Sequence, residues 1–145
     1  MLFTVATLVI SFTTFVTVFV YEQLKRNMDL TILLAFILSA VSFLLVYFIK
    51  WSPLNIALMV IAIMSSNGAA TMLWSRYCPS LCDTGKVSSA TGFLDFMSYM
   101  AAAASTTLFA NAVTSIGWKN LILIWFVIAV FGIMVSLPRK LVKKA

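Results

Sequence analysis

Residues 88–107 read SSATGFLDFMSYMAAAASTT. The run is apolar or small almost throughout, yet it holds Asp95, one of only four acids in a chain of 145 residues. Its meaning depends on the solvent around it. Hydrophobic residues make up 63% of the chain and charged residues 10%, whereas soluble domains average about 45–50% apolar and about 25% charged. A single small core leaves much of its area exposed and cannot hide so much apolar surface. A bilayer accepts it, and at roughly 20 apolar residues per crossing the length provides for about five spans.

Five apolar blocks stand between breaks in the pattern: residues 1–21, 30–49, 53–75, 87–115 and 121–137. Each is too long for a barrel strand of about 9–11 residues and lacks the alternation such strands show. Helices satisfy their own backbone groups, as hydrocarbon requires. The expected fold is therefore all-α, a multipass membrane bundle of five helices in one unit, with residues 138–145 as a basic tail. Pro53 suits a first helical turn. Gly117 suits a stop, Trp118 an interface, and Pro138 blocks continuation of the last span. The first block has no Lys or Arg ahead of its apolar core and no A-x-A site after it, so it is expected to be a span and not a cleaved leader.

The ten basic residues set the orientation. With five alternating helices, Lys25, Arg26, Arg76, Lys86, Arg139, Lys140, Lys143 and Lys144 fall on one side, and Lys50 and Lys119 on the other. Basic loops stay cytoplasmic. The N-terminus is expected outside, the C-terminus inside, and the chain in a cell (plasma or inner) membrane. The tail suits anionic lipid. Dispersal of the cations over three segments argues against nucleic acid as a partner.

Asp95 lies about 12 Å in from the inner end of its span, at 1.5 Å per residue. A mid-membrane aspartate costs about 2.5–3.5 kcal/mol on insertion scales, so it is expected to face protein or a watery path. Asn67, in the preceding span, is expected at the same depth, and Tyr99 lies one turn on along the same face. These three form a candidate intramembrane polar cluster. Asp95 either lines a solute path or locks two helices near the inner gate. Ala101, Ala102, Ser105 and Thr106 form small-xxx-small pairs suited to close helix packing. Gly68, after two serines, is a possible break in the third helix, and Arg76 and Asp83 a possible ion pair at the gate.

Several chemistries are excluded. DTGKVS lacks the glycine that a phosphate loop needs before its Gly-Lys pair, since position 80 is serine. Cys78 and Cys82, without histidine or a second pair, do not suggest a metal site. No nucleophile–histidine set exists, so no enzyme is expected, and no cofactor is called for.

Residues 76–118, RYCPSLCDTGKVSSATGFLDFMSYMAAAASTTLFANAVTSIGW, resemble the tenth-to-eleventh helix region of a major facilitator superfamily transporter. The pattern is a basic residue and a proline in a cytoplasmic loop, then GKVSSATGF, a tyrosine, a small-residue run and a closing Gly-Trp. It is most similar to the sugar-phosphate permease and organophosphate:phosphate antiporter branch. The resemblance implies that the five spans are the last five of a twelve-helix fold, and that the chain is truncated and inactive alone. It implies a secondary transporter for a small polar or anionic solute, with Arg76 and Lys86 in the cytoplasmic loop at the gate. The implied partners are the bilayer, the missing N-terminal helices or another membrane chain, and the solute. The branch's anion-binding arginines have no counterpart in these spans. The alternative is a small membrane scaffold or accessory subunit that packs against partner helices.

Overall fold

Asn27 starts the central helix. Its backbone is extended (φ −87°, ψ 104°), and its side-chain oxygen accepts the Leu30 N–H at 3.3 Å, which satisfies one of the donors left open at a helix start. Asp29 adds an acid in the first turn, where the helix dipole favours it. The computed structural model describes Thr4, Leu8, residues 11–49 and residues 51–137. Over these the chain is helical, with no strand.

Four helices follow one another: α1 Thr13–Gln23, α2 Met28–Phe48, α3 Ser52–Met72 and α4 Val87–Ser136. Lys25 and Arg26 make the tight α1–α2 turn with left-handed backbones (φ 55° and 58°), and the Arg26 N–H closes on the Tyr21 carbonyl at 3.0 Å. Between α2 and α3 the Asn55 amide donates to the Ile49 carbonyl at 2.9 Å, and Pro53 sits in the first turn of α3. A π turn, Leu73–Tyr77, and a 3-10 turn, Pro79–Thr84, lead from α3 to α4. Gly117 (φ 78°, ψ 165°) divides α4 into two arms, residues 87–116 and 118–136. Phe109 and Trp125, eight residues to either side of it, meet edge to face at 5.7 Å, so the arms fold back sharply on each other.

Three helices among the described residues are long and apolar enough to cross a membrane: Met28–Phe48, the run Ser52–Thr84, and Val87–Ser136. The 21 residues of α2 measure about 31 Å at 1.5 Å per residue, close to a hydrocarbon core of about 30 Å. Of the expected span over residues 1–21, residues 1–3, 5–7, 9 and 10 lie outside the described residues, and α1 takes up its second half. The basic tail 138–145 lies wholly outside the described residues, as does Lys50.

Helix α2 is the hub. It packs on α3 and on the second arm of α4 through Ala40, Phe43, Ala62 and Ala129, with Met59, Trp125 and Phe126 around them. Small residues bring the backbones close, which is the main source of adhesion where lipid is as apolar as the side chains. Gly132 lies so near Phe36 that a Cβ there would come within 2.6 Å of the ring. Ser39, fully buried, stands 3.2 Å from the Ala62 carbonyl and 2.8 Å from the Ser66 hydroxyl. A second cluster, Ile32, Ala69 and Met72, gathers Tyr21, Met28 and Leu73 at one end of the bundle.

Two expectations are corrected. Gly68 does not break α3, which runs on unbroken to Met72; it gives Thr17 of α1 room instead, since a Cβ would sit 2.8 Å from the Thr17 hydroxyl. Arg76 does not pair with Asp83: its guanidinium lies over the Tyr21 ring at 5.1 Å, which joins the end of α1 to the turn after α3.

Candidate intramembrane polar site

The end of α3 does not relax into a loop. The Cys78 N–H bonds the Leu73 carbonyl five residues back at 3.0 Å, and this wider turn changes which way the following side chains face. Trp74, in that turn, donates its indole N–H to Asp95 Oδ1 at 3.2 Å. The carboxylate of the opening stretch thus takes an indole partner. Asn67 stands exposed two turns earlier on α3, and Tyr99 is 77% exposed. The expected trio is not drawn together by any side-chain hydrogen bond.

The shift from residue 67 to residue 74 has a geometric cause. Matching depths assumed a helix that ends near Ser75 and a short loop. The π and 3-10 turns instead carry the chain on through Thr84, so α4 starts lower relative to α3. Eight residues up, Asp95 is level with Trp74. Seven residues along α3 amount to about 10 Å at 1.5 Å per residue.

Beside this pair a groove of about 550 Å³ runs between α1 and α3, lined by Ser11, Thr13, Thr14, Asn67, Thr71, Trp74 and Ser75 together with Ala70. Thr71 and Ser75 donate to backbone carbonyls one turn back, at 2.9 and 2.6 Å. Thr13 is 4% exposed, and its hydroxyl has no hydrogen-bond partner. On its other side lies an apolar cavity of about 260 Å³, walled by Val16, Val20, Leu34, Leu38, Ile61 and Met64 among others.

The first arm of α4 is barely covered. No residue from 87 to 116 is buried, and every one from 95 to 104 is exposed. Ala101, Ala102 and Thr106 are therefore exposed, and Ser105 is only half-buried. The Ser105 and Thr106 hydroxyls return to carbonyls of their own helix, at 2.9 and 2.8 Å. At the α4 start, the Lys86 carbonyl accepts the Ala90 N–H at 2.9 Å, while its side chain is exposed. Cys78 is buried and Cys82 exposed, and both are free thiols.

No protein-family model, no curated protein and no solved structure matches the chain. The likeness to major facilitator transporters accordingly rests on residues 76–118 themselves.

Sequence reasoning missed Trp74, Thr13 and the Ser39–Ser66 link. Trp74 reads as an interfacial aromatic because it closes an apolar span. Thr13 lies in a run of β-branched and aromatic residues with no charge to mark it. For Ser39 a signal existed: a serine beside alanine in α2, facing the serine pair Ser65–Ser66 in the next span.

Proposed function

We propose that this chain supplies five helices of a secondary transporter of the major facilitator type. It sits in a cell membrane with its N-terminus outside and its C-terminus in the cytoplasm. It moves a small polar or anionic solute once further helices complete the bundle. The observation that carries this is the uncovered arm, residues 87–116. It combines a carboxylate, Asp95, with a small-residue face, and residues 95–104 are exposed all round. A carboxylate turned to hydrocarbon costs about 2.5–3.5 kcal/mol, and a small-residue face gains little from lipid compared with another helix. Both defects are cured by helices from outside the described chain. The resemblance of residues 76–118 says what kind of assembly supplies them.

Orientation has support from both ends of the bundle. Lys25 and Arg26 follow α1, and Arg76 and Lys86 lie in the connection from α3 to α4, where Arg76 lies over Tyr21. Lys119 lies over Tyr47 at 4.6 Å at the opposite end. The excess of cations marks the cytoplasmic side. The same bare face also suits the alternative, a scaffold or accessory subunit that docks on partner helices without moving solute.

The two are told apart by phosphate exchange in proteoliposomes. The chain is reconstituted alone and together with the first seven helices of a permease from the branch it resembles. The transporter role predicts no exchange from the chain alone and saturable exchange from the pair. Stable association without exchange supports the scaffold, and the absence of any association refutes both.

A further inference from the structure

The groove between α1 and α3 is built to hydrogen-bond, yet holds no charge of its own. Ser11, Thr13, Thr14, Asn67, Thr71 and Ser75 line it, Trp74 provides a flat wall, and no Lys or Arg is among the lining residues. Asp95, which does not line the groove, accepts the indole N–H of that wall at 3.2 Å. Ligand sites commonly combine an apolar or aromatic wall with a few convergent polar groups.

Thr13 gives the groove a direction. Its hydroxyl is buried and unpartnered, and leaving such a group unmatched is costly. On one side it meets a mostly apolar cavity walled by Val16, Val20, Leu34, Leu38, Ile61 and Met64, whose few hydroxyl residues, Thr17, Thr31 and Ser65, do not hydrogen-bond it. On the other side Thr13 lines the groove, where Asn67 is exposed. We propose that this groove binds a neutral, hydroxyl-rich solute of the sugar or polyol class, with the Thr13 hydroxyl and the Asn67 amide as hydrogen-bonding contacts and the Trp74 indole as a stacking face. An anion finds no cation among the described lining residues and meets the field of Asp95 beside Trp74 instead. Calling this solute the transported cargo rests on the transporter reading above, but binding by the chain itself does not.

The test uses the full chain in phosphatidylcholine nanodiscs, with Trp51, Trp118 and Trp125 replaced by Phe so that emission reports Trp74 alone. Glucose, galactose and sorbitol are titrated, with glucose 6-phosphate as the anionic counterpart. At least one neutral probe is expected to change the emission saturably. Thr13→Val and Asn67→Leu are each expected to weaken that probe about five- to tenfold, as loss of one hydrogen bond does. Thr13→Ser is expected to retain affinity, and its normal circular dichroism guards against a folding defect. Glucose 6-phosphate is expected to bind at least tenfold more weakly. Unsaturable responses from all three neutral probes, which would mean a groove filled by solvent alone, overturn the proposal. So does tighter binding of the phosphate ester, or full affinity in Thr13→Val. Nanodiscs carrying a glycosyl diacylglycerol separate a free solute from a lipid headgroup: loss of the glucose response there assigns the groove to lipid and overturns the free-solute proposal. Exchange by the complemented assembly does not depend on this titration, so either result stands if the other fails.

Discussion

Replacing Gly132 by alanine tests the contact that holds the second arm of α4 to α2. A Cβ at this position lies 2.6 Å from Phe36 Cδ1 and Cε1 and 3.0 Å from Cγ. Non-bonded carbons settle at about 3.5–4.0 Å, so the ring has to retreat by about 1 Å. It is not free to do so, because Phe36 also packs against the Ile32, Ala69 and Met72 cluster. Overpacking of this kind costs about 1–3 kcal/mol. Alanine also gains up to about 1 kcal/mol in helix propensity over glycine, which blurs the single measurement. Gly92 removes the ambiguity. It is helical, and a Cβ there meets nothing within 4 Å, so Gly92→Ala carries the propensity term alone. The difference between the two variants, about 1–3 kcal/mol, isolates the clash. Unfolding in mixed micelles by sodium dodecyl sulfate, followed by circular dichroism, gives both values. Phe36→Leu is expected to relieve the clash, so the Gly132→Ala/Phe36→Leu pair shows a coupling of about 0.5–3 kcal/mol. Equal midpoints for Gly132→Ala and Gly92→Ala, or no relief by Phe36→Leu, refute the close approach of these two helices.

Ser39→Ala deletes the hydroxyl that reaches the Ala62 carbonyl and Ser66, and the same titration is expected to register about 0.6 kcal/mol, typical of interhelical hydrogen bonds in membranes. Ser39→Leu, by contrast, forces a branched side chain into a fully buried site and is expected to cost about 1–3 kcal/mol. Gly117→Ala puts a side chain at φ 78° and ψ 165°, a region essentially restricted to glycine, for about 1–3 kcal/mol; disulfide formation in a Phe109→Cys/Trp125→Cys pair is expected to drop when it is added. Asp95→Leu is expected to improve apparent membrane insertion of its segment by about 3 kcal/mol in a glycosylation-mapping assay. It also strips the indole of its acceptor, so Trp74 emission shifts; unchanged emission refutes the Trp74–Asp95 bond.

Most helix limits were legible in the sequence, because their causes are local. Asn27 caps, Pro53 starts a turn, and Gly117 stops a helix whatever lies elsewhere. The expected limits 30–49, 53–75 and 87–115 accordingly lie within three residues of α2, of α3 and of the first arm of α4. The second arm starts three residues before the expected 121, since Gly117 alone makes the turn. Gly68 misled because a glycine has two uses. It frees the backbone or it admits a neighbour, and only the position of Thr17 on another helix decides between them.

The site was harder to read for the same reason at greater range. Placing Asp95 opposite Asn67 required knowing where α3 ends and how the chain descends before α4, and no local rule announces the π turn at Leu73–Tyr77. Each residue added or removed turns a helical face by about 100°, so one wider turn is enough to point Trp74, and not Asn67, at the carboxylate. Packing partners carry the same dependence. Ala101, Ala102, Ser105 and Thr106 announce a close-packing face by their size alone, but size does not name the helix that fills it. Within the described residues Ala101, Ala102 and Thr106 stay exposed, and the same arm holds its carboxylate by a single indole N–H. A face made for contact and a charge with one partner lie on one rod, and both needs are met by the same addition: a further helix laid along residues 95–106.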